Sequence, residues 1–156
     1  MRVRHGKHDC RGTTTVEAAL ILLSLFTLIL GTLDLSIAVF RQEMVSQAAR
    51  QGARRASVQG SLAPAGLRGG PWGTAIYGPV VASSAPTDPK VQAITPWLSG
   101  IDPSNVQITY QWLDNKNTAE SRVKVTVSTT YPMLMQFIFG NKTLGLSGSS
   151  TMIITH

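Results

Sequence analysis

The chain has 156 residues, a net charge of +6 and a hydrophobic content of 43%, enough for about one domain. Its single cysteine, Cys10, excludes an intramolecular disulfide, so any globular part must hold together by packing. The basic excess does not point to nucleic acid. About half of it comes from Arg2, Arg4, Lys7 and Arg11 against Asp9, and no basic stripe interleaved with aromatics follows.

Residues 1–12 read as a polar, basic leader. From Ala18 to Leu33 no residue is charged, and only Ser24, Thr27 and Thr32 are mildly polar. With Val16 and the continuation Leu35–Phe40, the run is long enough for a hydrocarbon core of roughly 30 Å, so residues 13–40 are predicted as a transmembrane helix in the lipid bilayer. The basic residues ahead of it place the N-terminus on the cytoplasmic side. Residues 41–58 are expected to continue the helix outside the membrane, since that stretch has no proline and one glycine. There Glu43, Gln47, Arg50 and Arg54 share one face, while Val45, Ala48, Ala49, Gly52, Ala53 and Ala56 form a small-residue stripe on another.

Residues 59–156 are expected to form an extracytoplasmic α+β domain. Its first part, 59–89, is dense in glycine and proline and is predicted as a long loop, with Trp72, Ile76, Tyr77, Val80 and Val81 as candidate anchors to the core. "TDPKVQAITPWL" suggests a short helix capped by Asp88 with Pro89 at its first position. Val106, Ile108, Tyr110 and Trp112 alternate with polar residues, as do Val123, Val125 and Val127, and "DNKN" between them has turn chemistry. Thr143 to Thr155 is a third candidate strand with Leu144, Leu146, Met152 and Ile154 in one register. "MLMQFIFG" ahead of it is an apolar connector. The expected fold is therefore α+β: a long N-terminal helix packed on a small antiparallel sheet.

The sequence offers little for catalysis. After residue 12 the only histidine is His156, which leaves no buried Ser-His or Cys-His pair, and no phosphate loop or dinucleotide fingerprint occurs. His5, His8 and Cys10 are metal-ligand types, but a closed four-ligand site is not there. No metal or cofactor is expected. The apolar run is too long for an ordinary secretory signal, and the small residue, Gly12, precedes it.

"RGTTTVEAAL" resembles a class III prepilin signal, in which a short basic leader ends in Gly, a prepilin peptidase cuts after it, and the fifth mature residue is Glu. Here those are Gly12, Thr13 as the new N-terminus, and Glu17. "GTLDLSIAVFRQEMVSQAARQGARRASV" resembles the TadE-like proteins of the tight-adherence (Flp) pilus system, through Gly31, Asp34 and the Ala48–Arg54 segment. The resemblance covers about residues 11–58. It implies a minor pilin or pseudopilin in the inner membrane, with prepilin peptidase, other pilins and the pilus assembly machinery as partners. It also implies that Glu17 pairs with the free amine of a neighbouring subunit. The plainer reading is that Glu17 sits among headgroups and starts the helix. Asp34 reads as a charge that ends the span, or as an inter-subunit contact with a basic residue such as Arg41. Ala48, Ala49, Gly52, Ala53 and Ala56 read as helix-on-sheet packing or, alternatively, as a binding face. Two other classes stay open: an uncleaved single-pass anchor with a partner-binding domain, and a type II secretion pseudopilin.

Overall fold

The computed structural model describes residues 11–64, 70–134, 140 and 142–155, with side chains from Thr14 onward. The leader as far as Cys10, including His5 and His8, lies outside the described residues, as does 135–139 of the apolar connector.

Helix α1 spans Arg11–Ser57, 47 residues, about 70 Å long. No proline interrupts it, and Arg54 and Arg55 in its last turn suit the negative end of the helix dipole. Strands and turns from the rest of the described chain pack on its second half. Among the described residues four strands follow: β1 (Tyr77–Val81), β2 (Val106–Trp112), β3 (Arg122–Pro132) and β4 (Thr143–Ile153). They form one antiparallel sheet in the order β1-β2-β3-β4. Between β1 and β2 lie the short helix α2 (Pro89–Gln92) and three 3₁₀ turns. The Asp88 side chain caps α2, accepting from the Lys90 amide at 2.8 Å. The fold is α+β, a long apolar helix on a small antiparallel sheet.

The period-two pattern explains which sheet face is covered. Val106, Ile108, Tyr110 and Trp112 of β2 and Val123, Val125 and Val127 of β3 are all buried, with Ile108 opposite Val127 and Tyr110 opposite Val125. Val45, Ala48, Ala49, Ala53 and Ala56 of α1 close over them in the same core. Gly52 belongs to this contact: a Cβ there would stand 2.9 Å from Ile94 Cδ1 and 3.1 Å from Val125 Cγ1. A smaller cluster of Ala38, Tyr131 and Leu146 lies farther toward the N-terminal half of α1.

The stretch 59–89, expected as a loop throughout, contains β1. The strand was hidden because Gly78 and Pro79 break the alternation. Gly78 has a φ of +104°, and the register shifts between Tyr77 and Val80. A Cβ at Gly78 would collide with the Ile108 carbonyl of β2, so only glycine permits this pairing. Of the candidate anchors, Trp72 is buried, Tyr77, Val80 and Val81 are half-buried, and Ile76 is exposed. Trp72 is held by backbone and side chain together. Its amide donates to the Gln59 carbonyl at 3.0 Å. Asn117 Nδ2 donates to the carbonyls of Gln59 and Trp72, and Asn117 Oδ1 accepts from Trp112 Nε1 at 3.2 Å. One buried amide thus fixes the start of the glycine-rich segment to the β2–β3 turn.

Candidate functional site

The first half of α1 is bare. None of its most apolar window is buried by the rest of the chain, and Leu20, Leu23 and Leu28 are each more than 60% exposed. In water that surface would be costly; in lipid it is not. The few hydroxyls along it are satisfied locally. Ser24 donates to the Ile21 carbonyl and Thr27 to that of Leu23, both at 2.8 Å, and Thr32 and Ser36 do the same one and two turns later. These internal bonds remove the penalty of carrying hydroxyls into hydrocarbon. The helix is long and apolar enough to cross a membrane.

Gly12 and Thr13 lie in the first turn of α1. Glu17 is exposed and makes no hydrogen bond or ion pair among the described residues. It is an isolated carboxylate on an otherwise apolar cylinder.

Asp34 is in a different state. It is 8% exposed, and its Oδ1 accepts from the Tyr131 hydroxyl at 2.6 Å and from the Leu134 amide at 3.1 Å. The Arg41 guanidinium lies 4.7 Å above the Tyr131 ring. Tyr131 and Leu134 belong to the end of β3 and the residues just after it. The carboxylate therefore joins the helix to the sheet within the same chain. The sequence signal for Tyr131 was the buried register of β3, which runs on from Val127 through Thr129 to Tyr131. Which carboxylate it would meet was not readable, because Asp34 is 97 residues away.

Ala48, Ala49, Gly52, Ala53 and Ala56 are all buried. Arg50 and Arg54 point to solvent, and Gln47 donates to Glu43 at 2.8 Å on the polar face. Away from α1, Tyr110 packs edge-on to Trp72 and Tyr77, and Lys90 sits over both of those rings. The Tyr77 hydroxyl donates to Asp88 at 2.7 Å. This aromatic box is filled by the chain's own lysine. Among the described residues no group of His, Cys, Asp and Glu could hold a metal ion.

Among the described residues one helix is long and apolar enough to anchor the chain in a membrane, and its second half is also the core helix of the sheet domain. The family model described as TadE-like protein matches residues 12–54, which takes in the bare half of α1, Asp34 and most of the small-residue face. Over this segment the chain is similar to TadE-like proteins. Nothing among curated proteins or solved structures matches the chain.

Proposed function

We propose that the protein is a minor pilin or pseudopilin, a structural subunit in the biogenesis of a tight-adherence pilus. It sits in the inner membrane with its N-terminus cytoplasmic. A prepilin peptidase cuts after Gly12 and frees an amine at Thr13. The amine pairs with Glu17 of a neighbouring pilin, and the subunit helps to initiate, stabilise or cap the assembly.

The observation that carries this reading is the division of α1. One half completes a folded domain, and the other is left bare with one unpaired carboxylate near its start. A bare apolar helix associates laterally only with lipid or other helices. An amine and a carboxylate are each costly in lipid alone and less so together. Cleavage would create the amine one helical turn from Glu17, so processing and docking are coupled by the sequence itself.

The test is the intact mass of the membrane-extracted protein, with and without the cognate prepilin peptidase. Loss of residues 1–12 only when the peptidase is present is the expected result. A full-length mass in both samples leaves an uncleaved anchor, and Glu17 becomes a helix-start residue.

A further inference from the structure

Glu17 and Asp34 are about 26 Å apart along α1, less than the roughly 30 Å hydrocarbon core. Tilt only shortens that separation across the bilayer. In any spanning placement at least one of the two carboxylates lies within the depth of the core. They are not equivalent. Glu17 is exposed, whereas Asp34 is buried with its carboxylate held by Tyr131 and Leu134. The carboxylate already buried and hydrogen-bonded is the cheaper one to submerge.

The surrounding surface has the same bias. On α1, Leu33, Leu35, Val39 and Phe40 are 51%, 66%, 61% and 65% exposed. The apolar surface thus continues past the level at which the sheet begins. The end of the sheet is apolar too: Leu134 is 55% and Leu144 37% exposed. Beside Asp34 and Tyr131 runs a groove of about 210 Å³ lined by Gly31, Leu35, Ala38, Met133 and Leu144. The Arg41 guanidinium stands over the ring of Tyr131, which lines the groove, and Lys142, two residues before Leu144, is exposed. Long basic side chains at that height reach headgroup phosphates.

We propose that the membrane-proximal end of the domain is seated in the extracytoplasmic surface of the lipid bilayer. Its contact runs from Asp34 to Phe40 on α1 and over Met133, Leu134 and Leu144 at the sheet end. The domain lies on the membrane, with the Asp34–Tyr131 contact inside the boundary between headgroups and acyl chains. The inference rests on membrane anchoring alone and holds whether or not the chain is cut after Gly12.

The test uses the full, uncleaved chain carrying Cys10→Ser, reconstituted in vesicles of phosphatidylethanolamine and phosphatidylglycerol. Nitroxide labels are placed singly at Leu134→Cys and Leu144→Cys, with Leu28→Cys as the lipid reference and Leu113→Cys, at the far end of the sheet, as the water reference. All four native residues are exposed in the chain, so the labels do not disturb the core. The expected result is an oxygen-to-nickel-chelate accessibility ratio at 134 and 144 severalfold above that at 113, approaching that at 28. Ratios equal to that at 113 overturn the proposal. So does shielding from both reagents with spin–spin broadening that grows with the protein-to-lipid ratio, which would mean that a second copy covers the patch.

Discussion

Gly148 of β4 lies directly against the backbone of Ser46 on α1. A Cβ at position 148 would stand 2.8 Å from Ser46 Cα, 2.9 Å from Ser46 N and 2.9 Å from the Val45 carbonyl oxygen. None of these atoms belongs to a flexible side chain, so the helix itself would have to lift off the sheet. Gly148→Ala should therefore destabilise the protein by about 1–3 kcal/mol. Gly145→Ala on the same strand meets nothing within 4 Å and should be neutral or slightly stabilising, because glycine in a strand costs about 0.5–1 kcal/mol relative to alanine. Thermal unfolding of both variants in the same detergent checks the pair; equal melting temperatures would contradict the close approach.

Asp34 and Tyr131 should behave as one unit. Asp34→Ala leaves the Tyr131 hydroxyl and the Leu134 amide without this acceptor, at a cost of about 1–3 kcal/mol. Tyr131→Phe removes one donor and should cost less. In the double variant the two losses should fall short of additive by about 0.5 kcal/mol or more. Strict additivity in a double-mutant cycle would mean that the 2.6 Å contact contributes nothing.

The surface pair Asp114–Arg122 gives a pH signature at the opposite end of the sheet. Arg122 donates to Asp114 through its guanidinium Nε and Nη2 and its backbone amide, which holds the carboxyl down to about 2. A depressed folded-state value means that the contribution is fully present above the ordinary aspartate range and is lost as pH falls through about 2. Arg122→Ala should return the Asp114 titration toward about 3.9 in a carboxyl-resolved NMR series. An unchanged midpoint would assign the shift to something other than the guanidinium.

Glu17→Ala should leave membrane insertion intact, because it makes the apolar run more apolar. Under the proposed function it should weaken co-isolation with pilin subunits. Normal incorporation into filaments would remove the amine-pairing role of Glu17.

Gly12→Leu should block processing by the prepilin peptidase. A variant that still loses its first twelve residues would rule out the assignment of the cleavage bond.

Much of the fold was legible because its signals are periodic. The continuous helix, the small-residue stripe from Ala48 to Ala56, and strands β2 and β3 all follow from which residues recur on one face. The Asp88 cap was legible because capping is local chemistry. β1 was not, because its identity comes from its partner: Gly78 accommodates the Ile108 carbonyl, and no alternation within five residues that include glycine and proline could announce that. Asp34 was visible as a residue of interest from its isolation in an apolar run. Its partner was invisible, since the contact is made only once the end of β3 has come alongside the helix. Asn117 was missed for the same reason. A single amide in a turn sequence says nothing of the three backbone and side-chain groups it will join.

β4 runs alongside α1 in the same direction, from Leu144 near Gly31 to Thr155, whose amide donates to the Ser57 carbonyl at 2.9 Å. Along the way Gln42 donates to the Ser147 carbonyl, and Gly148 abuts Ser46. Any force drawing the anchor lengthwise is therefore transmitted to the domain in shear, over some 35 Å of seam between Asp34 and Ser57. Contacts in this geometry share a load in parallel, whereas a sheet hung from the helix by one end would be peeled away bond by bond. The same packing that gives the domain its core makes the anchor and the domain a single mechanical member.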